Sequence, residues 1–159
     1  MQGSGPDVPT REMAGRTLVA GRAGGQAVVL DEPLSFWGGV DPSSGRLIDR
    51  RHLQAGADLA GRILVMPCGR GSSSSSSVLA ESIRARTAPV AILLLQPDPI
   101  LVVGAVVAQQ LYGRTIPIVV LDPAGYATLR TGDLVTVEAG GPQGVVRVAS
   151  RPGGPGERG

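Results

Sequence analysis

A chain of 159 residues with 42% hydrophobic side chains is long enough to bury one compact core and short for two domains. Four aromatic residues cannot build the stacking platforms of single-strand nucleic-acid binding, and fifteen arginines scattered among thirteen acids leave a net charge of only +2 with no basic stripe, so no nucleic-acid partner is expected. A single cysteine, Cys68, excludes a disulfide framework and any iron–sulfur cluster held by thiolates of this chain alone, which favours a cytoplasmic setting; the longest apolar stretch is broken at Gln96–Pro99, so no membrane partner is expected.

Residues 1–14 and 151–159 are polar and rich in glycine and proline, and they are expected to be flexible tails around one domain spanning 15–150. Thr17 to Ala20 and Gln26 to Leu30 are short apolar runs separated by Gly21, Gly24 and Gly25, which predicts a strand pair around a turn. Asp41-Pro42 and Ser43-Ser44-Gly45 predict a chain reversal. Arg62 to Met66 is a buried-strand pattern, followed by the loop PCGRGSSSSSS and an amphipathic helix carrying Val78, Leu79 and Ile83. Val90 to Leu95 repeats the strand, Asp98 or Pro99 starts a helix that Gly113 ends, and Ile116 to Leu121 forms the next strand. Alternating strands and helices imply a parallel sheet covered on both faces. The last portion, GDLVTVEAGGPQGVVRVAS, is a closing hairpin around Gly-Gly-Pro.

The segment Gly69-Arg70-Gly71-Ser72 and the serines behind it carry most of the chemistry. Gly71 and its neighbours let backbone approach a ligand, and a helix starting behind them aims N–H groups and a positive dipole end at an anion. Arg70 adds a fork for a carboxylate or phosphate, and Ser72 and Ser73 add hydroxyls that donate hydrogen bonds or exchange a proton. The competing reading is a solvated serine linker. A phosphate-binding P-loop fails for want of any lysine, and a nucleophile elbow fails because glycines and serines stand in the wrong order. Cys68 is expected to be a small core residue, His52 a surface or hydrogen-bonded structural histidine, and Asp98 a helix cap. Trp37 divides evenly between a core anchor and a pocket or subunit contact. One histidine and one cysteine compose no metal site.

The segments DEPLSFWGGVDPSSGRLIDRRH, AGRILVMPCGRGSSSSSSVLAESI and APVAILLLQPDPILVVGAVVAQQLYGRTIPIVVL resemble the swivel domain of aconitase X, from about Arg16 to Val148. That resemblance implies an α/β fold: a swivelling β/β/α domain with a short parallel sheet, flanking helices and β-hairpins closing a barrel-like core. It also implies the small subunit of a hydro-lyase, active only with an aconitase-X large subunit that holds iron or an iron–sulfur cluster, this chain alone binding no cofactor. The small-molecule substrate would be a hydroxy acid. Cis-3-hydroxy-L-proline is preferred and mevalonate 5-phosphate is the alternative, and these residues alone do not separate them. In aconitase relatives the first serine after a Gly-x-Gly turn removes the substrate proton, which assigns that role here to Ser72, with Arg70, Gly71 and Ser73 binding substrate. A rival from another class is a regulatory module that holds an anion without chemistry.

Overall fold

The computed structural model describes residues 10–149. Seven strands close into a barrel in the order β1-β5-β4-β3-β2-β6-β7, with β1 at Thr10–Val19, β2 at Gly21–Val29, β3 at Ile63–Met66, β4 at Ala91–Leu94, β5 at Ile118–Leu121, β6 at Leu134–Ala139 and β7 at Gln143–Ala149. Strands β2, β3, β4 and β5 run parallel, and β1, β7 and β6 complete the wall by antiparallel pairing. Closure removes every sheet edge.

The central strands read as unbroken apolar runs because both of their faces are covered. Ile63, Val65, Ala91, Leu93, Val119 and Leu121 point into the barrel, where they meet Val135, Val137, Val146 and Val148. Leu64, Met66, Ile92, Leu94 and Ile118 point outward to a second core under helices α2, Ser75–Ala85, and α3, Pro99–Tyr112. The sheet therefore has helices on one face and its own lumen on the other. Helix α3 starts and stops where its chemistry dictates: Asp98 caps it by accepting from the N–H groups of Ile100 and Leu101, Pro99 occupies the first turn, and Gly113 ends it in the left-handed conformation. A four-residue turn, Phe36–Gly39 (α1), and a short helix, Pro123–Ala127 (α4), lie in the connections.

Three expectations need correction or qualification. Strands β1 and β2 are separated only by Ala20, yet they do not pair: β1 joins β5 and β7, while β2 joins β3 and β6. Gly24 and Gly25, expected in a turn, lie inside β2 opposite Thr136 and Val135. Thr10–Ala14, expected in the flexible tail, forms the first half of β1, paired residue by residue with Ala149 to Val145 of β7. Residues 1–9 and 150–159 lie outside the described residues. The β6–β7 hairpin forms as expected, pairing Leu134 with Ala149 and Glu138 with Val145. The reversal at Asp41 also forms, its carboxylate accepting from the Ser43 N–H and from the hydroxyls of Ser43 and Ser44. Those bonds hold the Asp41 carboxyl below the ordinary carboxylate range.

Candidate functional site

Parallel strands gather their following loops at one end, and here the loop after β3 meets the segments after β2 and β4. Gly69 forms a parallel bridge with Leu34, the Arg70 N–H donates to the Leu34 carbonyl at 3.2 Å, and Arg70 Nη2 donates to the Pro33 carbonyl at 2.9 Å. On the other side stands Asp98, at the start of α3. Two glycines make this approach possible. A Cβ on Gly69 would overlap the Asp98 carboxylate; one on Gly71 would stand 2.6 Å from Ser35 Oγ, at a φ of +95° that L residues resist.

The serine run is a structured turn and not a linker. Ser72 Oγ accepts from the Ser74 N–H at 3.0 Å, and the Ser72 carbonyl accepts from the Ser75 N–H at 2.9 Å. The Ser73 carbonyl takes both the N–H and the hydroxyl of Ser76. Ser72 and Ser73 are exposed, and among the described residues no acceptor engages their own N–H groups. Helix α2 begins behind them with no acidic residue in its first turn, so nothing opposes its N-terminal field.

Ser75 is buried and was not singled out in the sequence. Its Oγ accepts from the Trp37 N–H at 3.0 Å and lies 3.3 Å from Ser35 Oγ, whose single proton goes to the Trp37 carbonyl at 2.9 Å. The proton between the two hydroxyls therefore comes from Ser75, and the three residues close a hydrogen-bonded ring that pins α1 to the first turn of α2. Removing the Ser75 hydroxyl strands the Trp37 N–H, so Ser75→Ala is expected to cost about 1–3 kcal/mol, whereas exposed Ser77→Ala stays within about 0.5 kcal/mol. Thermal melts of the two variants check this, and equal melting temperatures would refute the ring's role.

Leu34, Phe36, Gly69, Arg70, Gly71, Ser75, Asp98, Ile100 and Leu101 enclose a cavity of about 70 Å³. Ligand pockets that enclose a small molecule run from roughly 300 Å³ upward, so this cavity holds one end of a substrate at most. Arg70 and Gly71 line it, and Ser72 and Ser73 follow directly at its rim, outside the lining. A larger groove of about 360 Å³ opens at the opposite end of the parallel strands, but Arg22 there pairs with Glu138 and Arg114 donates to the carbonyls ending α2.

The remaining sequence candidates separate clearly. His52 is buried, with Nδ1 accepting from the Gln54 N–H at 3.0 Å and Nε2 at 3.3 Å from the Glu32 carbonyl, so both nitrogens are committed and no Cys–His dyad forms. Cys68 is half-buried, not a core residue. Phe36 is the buried anchor, and Trp37, 59% exposed, is not. Tyr126 on α4, unforeseen in the sequence, packs against the barrel core; burial first, then Asp31 and Cys68, push its hydroxyl up to about 12. It stays protonated at neutral pH and cannot compete as a base.

Family models match residues 12–148 to the aconitase X swivel domain. The chain belongs to this family. Among similar proteins, the cis-3-hydroxy-L-proline dehydratase of Pseudomonas aeruginosa is 55% identical over 67% of the chain, and the phosphomevalonate dehydratase small subunit of Methanosarcina acetivorans is 37% identical over 79% of it. The chain covers 84% of the latter relative but only 18% of the former, about a fifth of that longer protein. The crystal structure of Thermococcus kodakaraensis aconitase X in its holo-form superposes with a TM-score of 0.76 at 34% identity, covering 88% of this chain and 99% of that one. For a swivel domain the barrel is the expected fold. Its own residues do not fit a metal centre: among the described residues no group of three or more His, Cys, Asp or Glu side chains is placed to hold an ion.

Proposed function

We propose that the chain is the small, swivel subunit of an aconitase-X-type hydro-lyase that dehydrates a hydroxy acid in an active site shared with a large subunit, Ser72 serving as the base. One observation carries the reading: an exposed serine Oγ sits beside a cavity at the N-terminus of α2, held by the Ser74 N–H at 3.0 Å. A serine hydroxyl ionises only where positive potential is concentrated, and that N–H, the free N–H groups of the turn and the helix dipole supply it. In the elimination, Ser72 Oγ takes the proton from carbon, the C–H electron pair becomes the double bond, and hydroxide leaves the neighbouring carbon. Any iron or iron–sulfur centre of such an enzyme is assigned to the large subunit, since the residues here offer none.

Cis-3-hydroxy-L-proline is the favoured substrate. The cavity walls carry one cation, Arg70, and one anion, Asp98, which suits a zwitterionic amino acid; a substrate with both a carboxylate and a phosphate would set charge against Asp98. The 55% identity to a dehydratase of that name points the same way. Mevalonate 5-phosphate is the second reading, favoured by the coverage of 84% of a phosphomevalonate dehydratase small subunit. Assaying the assembled pair with both compounds decides between them, and a higher kcat/KM for mevalonate 5-phosphate would overturn the first.

Arg70 tests substrate orientation. With Nη2 held by the Pro33 carbonyl, the rest of its fork remains to meet a substrate oxyanion. A lysine ammonium cannot hold both directions in one plane, so Arg70→Lys is expected to lower kcat/KM by at least about tenfold with little change in melting temperature. Unchanged kinetics would show that Arg70 serves only to fasten the loop to Pro33.

A further inference from the structure

Helix α3 carries no charged residue from Pro99 to Tyr112. Its inner face, Leu101, Gly104, Ala105 and Ala108, is buried. Its outer face is apolar too: Val103 is 51% exposed, Val106 47% and Leu111 67%, with Val107 beside them. A helix that is apolar all round belongs in an interior, yet this one has cover on one side only. At 100° per residue, Ile100, Val107 and Leu111 share one flank, and Ile100 is a wall of the active-site cavity. The uncovered stripe therefore starts at the cavity and runs roughly 17 Å along the helix.

We infer that the outer face of α3 is the docking surface for the large subunit, which seats an uncharged, apolar patch along Val103, Val107 and Leu111. This rests on the shared active site proposed above, because a subunit completing the cavity must cross the start of α3. Continuity between cavity wall and stripe singles out that occupant. A second copy is disfavoured on area: a few valine and leucine side chains fall well short of the roughly 800 Å² per partner that a stable interface buries. Only a partner that also covers the cavity rim, where Trp37 stands exposed, extends the contact to that size.

The test uses the full chain co-expressed with its large subunit. Val103→Glu and Leu111→Glu replace exposed residues by a better helix former, so the chain should fold with an unchanged melting temperature while its affinity for the large subunit falls at least about thirtyfold, the scale of an interface hot spot. Should either glutamate unfold the chain, Leu111→Gln probes the same surface without charge. Unchanged affinity in these variants would overturn the docking face while leaving the shared site standing, and so would a self-association of the isolated chain that the same substitutions abolish without affecting large-subunit binding. A wild-type chain that fails to bind the large subunit would overturn the partner reading itself. Ser72→Ala should bind like wild type, which separates docking from chemistry.

Discussion

Replacing Ser72 by alanine in the assembled enzyme is expected to lower turnover at least about a hundredfold, the lower scale of general-base catalysis. The substitution removes Oγ and, with it, the acceptor of the Ser74 N–H. As a cap, that hydroxyl contributes about 1 kcal/mol to stability, which a domain of this size survives. The two roles are separable: a cap lost without a base lost would lower the melting temperature slightly and leave turnover alone. Ser73→Ala is the control, since Ser73 engages the turn through its carbonyl and keeps it in the variant. Steady-state rates of both variants, read beside their thermal melts, decide the assignment. If Ser73→Ala is the inactive one, the base is Ser73; if both retain full rates, the loop binds an anion without chemistry.

The legible parts of this chain were those where one residue's local chemistry decides the outcome. Asp98-Pro99 and Gly113 mark the ends of α3 because a carboxylate cap, a ring-fixed φ and a left-handed glycine act within a turn. β3 and β4 were legible because covering both faces demands an unbroken apolar run. Pairing partners were not, since a two-residue period says which side chains face alike and nothing about which strand lies alongside. Hence β1 and β2 looked like a hairpin, although the barrel places them in separate pairings. Thr10–Ala14 looked like a tail because its pairing with β7 leaves Arg11 and Glu12 on an open face, where no hydrophobic signal is needed. In the site, glycine spelling identified the loop, but six identical serines hide which one is turned inward. Ser75 is distinguished only by meeting Trp37 and Ser35, from a segment some forty residues earlier.

Purified alone, the chain is expected to fold, to contain no iron and to be inactive, gaining dehydratase activity only with its large subunit. The argument combines three measures of incompleteness. Its cavity of about 70 Å³ is too small to enclose a hydroxy acid. Among the described residues no side-chain cluster fits a metal, and the one histidine has both nitrogens engaged in the fold. What remains is half of an acid–base site: a serine in a field of backbone N–H groups, an arginine and a capped aspartate, all carried on one rim. Folding does not share this dependence, because the barrel closes on itself and both cores lie within the chain. The isolated protein should therefore melt cooperatively while its partner-dependent activity is absent. Metal analysis and a dehydratase assay, run on the chain alone and on the co-expressed pair, check both halves of this expectation. A lone chain that turns over substrate would place the whole reaction on this rim and end the shared-site reading.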